Sequence, residues 1–116
     1  MKENLVKDKS YRFALRIIEL HKCLVDAKEY VISRQLLKSG TSIGANIEEA
    51  LAGQSRADFL SKMSIASKEA RETHYWLRLI RDSQSVPSDH IAPLLTESES
   101  LINLLSAIVK TTASTK

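Results

Sequence analysis

The stretch Ser39-Gly40-Thr41-Ser42-Ile43-Gly44-Ala45-Asn46-Ile47-Glu48-Glu49-Ala50 constrains this chain more than any other. It lies inside a segment that otherwise reads as one long helix, and it is nearly without bulk. Glycine in a helix interior costs about 1 kcal/mol relative to alanine, and serine and threonine are mediocre helix formers. Gly40 and Gly44 stand four apart, so on a helix they share a face. With Ser39 and Ala45 they make a shallow groove that lets a second helix backbone come unusually close, which offsets the poor propensity. The alternative is a break after Gly40, with Thr41 or Ser42 capping a new helix. Close packing is favoured, and a modest kink is compatible with both. A phosphate-binding loop fails because there is no Gly-x-x-x-x-Gly-Lys spacing and no hydrophobic strand leading in.

Outside that stretch the chain has few breakers. Its 116 residues suit one domain. They include three glycines and two prolines, Pro87 and Pro93, and no β-branched run, which predicts an all-α fold. No run approaches the roughly 20 apolar residues of a membrane span. The N-terminus lacks the apolar core of a signal peptide. The single cysteine, Cys23, excludes an internal disulfide framework and fits a reducing, cytoplasmic setting.

Periodicity predicts four helices, at about 9–27, 30–52, 56–83 and 88–110, in an up-down-up-down left-handed bundle. Residues 1–8 read as a polar lead and 111–116 as a disordered tail of the same single domain. Asp8 or Ser10 is a candidate cap for the first helix. The second helix carries Tyr30, Val31, Leu36 and Leu37 ahead of the small-residue stretch. Gly53 fits a left-handed C-terminal cap of that helix. Ser55 fits an N-cap of the third, with Asp58 as reciprocal acid. In the third helix Phe59, Met63, Ala66, Ala70, Thr73, Leu77 and Ile80 recur at spacings of four and three, a bundle seam. Pro87 or Ser88 begins the fourth. The apolar arcs exceed what one core requires, so a monomer would expose some of Leu15, Ile65, Trp76, Leu79 and Leu104. An extended patch of that kind marks an interface, and a homo-oligomer is expected.

The run from Gln35 to Ala50 resembles the signature of the four-helix-bundle proteins called 23S ribosomal RNA intervening-sequence proteins. Ser55-Arg56-Ala57-Asp58-Phe59, Ile65–Thr73 and Tyr75–Leu79 agree with it, over about residues 10–108 in all. Ser67 departs from the pattern, which usually has an apolar residue there. The resemblance implies a cytosolic bacterial protein whose relatives include rings of five, and it implies no enzymatic activity. Some of those relatives are encoded in insertions within large-subunit ribosomal RNA genes. It also points to a branch that accompanies reverse transcriptases and binds nucleic acid through a basic surface.

The sequence contains no catalytic, metal or cofactor motif. A di-metal carboxylate bundle needs Glu-x-x-His pairs on two helices, and the chain has none. Cys23 and His21 fall on the apolar side of the first helix and read as core residues. His74 and His90 join no constellation. The net charge of +3 is uneven. Residues 1–38 hold nine Lys/Arg against five Asp/Glu, while residues 84–109 hold no Lys/Arg. Lys9, Arg12, Arg16, Arg71 and Arg78 are therefore candidate contacts to RNA or DNA, with Trp76 available for stacking. The competing reading neutralises the arginines internally, with Glu48 or Glu49 reaching Arg71 or Arg78 across helices. A non-enzymatic, self-associating scaffold without cofactor is the expectation, and a nucleic-acid-binding assembly the alternative.

Overall fold

Val6, Ser10, Phe13, Ile17, Leu20 and Leu24 are all buried, at alternating spacings of four and three. That row fixes the first helix, α1, over Lys2–Asp26. The computed structural model describes residues 2–114. Three more helices follow: α2 (Tyr30–Ala52), α3 (Arg56–Ser83) and, after a 3₁₀ turn at Ser88–His90, α4 (Ala92–Ser114). Each packs on its chain neighbours and α4 returns against α1, so the four stand around one core in up-down-up-down order. The bundle measures 48 × 20 × 19 Å. No described residue lies in a strand.

Both ends of the chain depart from expectation. Residues 2–8 are helical rather than a polar lead, because Val6 is fully buried and extends the α1 row by one heptad. Asp8 and Ser10 thus lie inside α1 and cap nothing. At the other end, α4 runs on through Ser114 instead of stopping near residue 110. The remainder of the expected lead and tail, residue 1 and residues 115 and 116, lies outside the described residues.

Gly53 corrects a second expectation. Its backbone is extended, not left-handed, at φ −67° and ψ 156°. A Cβ there would meet the Asp58 carboxylate, which would have to swing aside, and would lie 3.1 Å from the Ala50 carbonyl oxygen. Among the described residues the left-handed positions are Lys28 and Gln84, in the α1–α2 and α3–α4 turns. Ser55 does cap α3, its hydroxyl accepting from the Asp58 N–H at 3.0 Å. The same two turns meet at one end of the bundle, where the Ser85 hydroxyl donates to the Glu29 carboxylate at 2.7 Å.

Candidate functional site

The small-residue stretch runs unbroken through α2 and faces two helices. Towards α1, a Cβ on Gly40 would lie 2.8 Å from Ile17 Cγ2, and one on Gly44 would lie 3.3 Å from Ser10 Oγ. Towards α3, buried Ser39 and buried Thr73 are hydrogen-bonded at 2.9 Å. The Thr73 hydroxyl also lies 2.7 Å from the Glu69 carbonyl, so both hydroxyls are satisfied inside the core. Ala45 does not take part: it points outward and is exposed.

The expected ion pairs between Glu48 or Glu49 and Arg71 or Arg78 do not form among the described residues. Glu49 instead takes Lys62 at 3.0 Å, which raises the Lys62 ammonium above its ordinary range. Glu48 lines a shallow groove with Lys7, Asp8, Tyr11 and Arg12. Arg71 donates to the Ser106 hydroxyl of α4 at 3.2 Å. The Arg78 guanidinium lies 5.7 Å from the centre of the Tyr75 ring. Reach explains the difference. Lys62 sits within the first two turns of α3, opposite the end of α2, whereas Arg71 reaches Ser106 of α4 and Arg78 lies beside Tyr75 of its own helix.

The candidate cations divide between separate faces. Lys9, Arg12 and Arg16 line a groove between α1 and α4 together with Glu97 and Leu101. Arg16 is paired there with Glu97. Arg71 and Arg78 lie on α3, diagonally across the bundle, and form no continuous track with the α1 set.

The apolar candidates reach the surface on α1 and α3. Leu15 is 48% exposed, and Ile65 and Leu79 are each 38% exposed. Trp76 is half-buried, packs on the core and donates its Nε1–H to Glu72 at 3.1 Å. It shares a groove of about 590 Å³ with Leu79, Tyr30, Val31 and Ile32. Tyr30 and Val31 were legible as helix residues, but not as surface ones. Their position in the first turn of α2, beyond the first buried layer at Ser33, is the signal that marks them.

The histidines and the cysteine are dispersed. His21 Nδ1 lies 3.1 Å from the Ser33 carbonyl. His74 Nε2 lies 3.4 Å from Glu99 Oε1. Cys23 is half-buried rather than core, and lines an open groove with Arg16, Glu19, Leu20, His90, Pro93 and Leu94. Among the described residues no three His, Cys, Asp or Glu side chains are placed to hold a metal ion. No helix among them is long and apolar enough to cross a membrane. Burial, and after it Glu72, holds the Glu69 carboxyl above the usual carboxylate range. Asp82 is held below that range by its hydrogen bond from Arg81.

Residues 2–107 match the family model described as 23S rRNA-intervening sequence protein. A crystal structure of a protein of unknown function from the S23 ribosomal protein family of Bacteroides thetaiotaomicron is similar to this chain, with a TM-score of 0.89 and 49% identity. The match covers 95% of this chain and 99% of that one. Comparison with curated proteins finds no match.

Proposed function

Because the chain belongs to the 23S rRNA-intervening sequence protein family, and a similar solved structure is of a protein of unknown function, we propose that it is a non-enzymatic scaffold that works by self-association in the cytoplasm. The observation that carries this reading is the exposure of Leu15, Ile65 and Leu79 on the outward faces of α1 and α3. Each is a large apolar side chain in a regular helix whose opposite face already fills the core. Covering them removes apolar surface from water, at about 25 cal/mol per Å². The titratable groups, by contrast, are spent on dispersed surface pairs such as Glu49–Lys62 and Arg81–Asp82. Light scattering tests the reading. The expected solution mass is several-fold that of one 13.0 kDa chain, with five copies the number the family resemblance implies. A single-chain mass at working concentration would overturn it.

A second reading, binding of RNA or DNA, rests on the gathering of Lys9, Arg12 and Arg16 along one groove. Phosphate contacts make affinity fall steeply as salt rises. Titration of a single-stranded RNA probe across salt concentrations tests it, and salt-insensitive or absent binding would dismiss it.

A further inference from the structure

The outward face of α1 carries Asp8, Arg12, Leu15, Glu19 and Lys22, all exposed, at intervals of four, three, four and three. The outward face of α3 carries Lys68, Glu72, Tyr75, Leu79 and Asp82, all exposed, at the same intervals. We propose that the α1 stripe of one copy docks in parallel on the α3 stripe of a second copy, pairing Asp8 with Lys68, Arg12 with Glu72 and Leu15 with Tyr75, and bringing Lys22 to Asp82, which Arg81 of its own helix already holds. The proposal rests on the self-association reading and specifies its contact.

Charge selects both direction and register. In the parallel register every charged residue that meets a charged residue meets the opposite sign. Glu19 falls beside Leu79, with Arg78 next to it in the chain. Reversing one helix about the Leu15–Tyr75 contact sets Asp8 against Asp82, Glu19 against Glu72 and Lys22 against Lys68. Like charges so placed repel and exclude that arrangement. Within one chain, Ile17 stands beside Gly40 and Ser39 beside Thr73, so Ile17 is level with the Glu72–Thr73 peptide. Two copies side by side at equal height would therefore set Arg12 near Lys68 and Lys22 near Arg78, again like against like. A displacement of four to five residues, about 7 Å along the axis at 1.5 Å each, moves Arg12 onto Glu72 and Lys22 onto Asp82 instead.

The bundle geometry permits this contact to repeat. α1 and α3 run in the same direction and occupy opposite corners, so their outward faces point away from each other. A copy that receives α1 on its α3 still offers its own α1 to the next copy. That is a head-to-tail contact, which closes into a ring or grows as a filament according to the angle between copies. It covers Leu15 and Leu79 together. A two-fold pairing of α1 with α1 would also match charges, Arg12 against Glu19, but it leaves Tyr75 and Leu79 bare.

Charge reversal and its rescue decide between these contacts, with solution mass read by light scattering and the fold checked by circular dichroism. Arg12→Glu should lower the mass from several-fold to that of a single chain without loss of helix. Adding Glu72→Arg should restore the parent mass, and Asp8→Lys with Lys68→Asp should behave in the same way as a second pair. Restoration by Glu19→Arg and not by Glu72→Arg would overturn the proposal in favour of the two-fold contact. An oligomeric parent indifferent to both reversals would overturn it while leaving self-association standing. A monomeric parent would remove the self-association reading and this contact with it.

Discussion

Gly40 and Ile17 approach so closely that a Cβ on the glycine would lie 2.8 Å from one Ile17 methyl carbon and 2.9 Å from Cγ1. Ile17 is fully buried, and its β-branched side chain is stiff at the Cγ atoms that the new Cβ would meet. Gly40→Ala gains about 1 kcal/mol of helix propensity, against roughly 1–3 kcal/mol for overpacking a filled core. The expected outcome is net destabilisation by about 1 kcal/mol, measured by denaturant unfolding. Gly44 differs. Its missing Cβ would meet Ser10 Oγ at 3.3 Å, a small group that needs to give only slightly. Gly44→Ala should change stability by less than about 0.5 kcal/mol. Gly44→Leu drives a full side chain into the Ser10 backbone and should melt or misassemble the bundle. If Gly40→Ala were the more stable protein, the α1–α2 contact would not depend on withheld bulk.

On the other flank of α2, Ser39 and Thr73 share a hydrogen bond in a site closed to water. Thr73→Val keeps the volume and removes one partner. The Ser39 hydroxyl then retains only the long contact of 3.4 Å to the Leu36 carbonyl. A buried hydroxyl left so poorly satisfied costs about 1–3 kcal/mol. Replacing both groups together, Ser39→Ala with Thr73→Val, leaves no orphan. The double variant should therefore be less damaged than the sum of the single ones, by about 0.5 kcal/mol or more in a thermodynamic cycle. Strict additivity would show that the two hydroxyls act independently.

These two contacts also show how much of the fold could be read from residues alone. The α3 seam from Met63 to Ile80 was legible because its apolar residues keep the helical period on both sides of a single polar position, Thr73. The start of α1 was not, because the buried position after Val6 is filled by serine. Ser10 is small for the same reason that Gly44 is: the two backbones meet there. Its hydroxyl is satisfied locally by the Lys7 carbonyl at 3.0 Å, so nothing in its polarity marks it as core. The surface pairs were illegible for a different reason. Glu49 chooses Lys62 over Arg71 through axial height and side-chain reach, which follow from how α2 and α3 align. Exposure of Leu15, Ile65 and Leu79 was legible, since apolar arcs wider than one core must surface somewhere.

Glu69 gives a dependence on pH. Burial, then Glu72 three residues on, raises its carboxyl, while Lys38 and Lys68 pull the other way. The ordinary carboxyl value in an unfolded chain is about 4.3. A carboxyl raised on folding supports the fold fully below that value, and the support is lost as pH rises through the folded value. Glu69→Gln removes the titration. Relative to the parent, its stability should improve as pH rises from about 4 towards neutrality, and level off above the raised value. The gain should stay within about 0.5 kcal/mol, because the group is only partly buried. A difference that is flat across this range, or that shrinks with rising pH, would refute the assignment.

The groove between α1 and α4 makes the last prediction, because one of its three cations is already engaged. Arg16 is paired with Glu97, while Lys9 and Arg12 have no ion-pair partner among the described residues. If the groove binds polyanions, Glu97 is a local brake on it. Glu97→Gln should then strengthen binding of a single-stranded RNA probe and steepen its dependence on salt by up to about one phosphate contact. Arg71→Ala, on the α3–α4 face and bonded to Ser106, should leave both quantities unchanged. Lys9→Ala should weaken binding and flatten the salt dependence. Equal effects from Arg71 and Lys9 would mean that binding follows net charge and not the groove, and unchanged binding in all three variants would separate this surface from nucleic acid altogether.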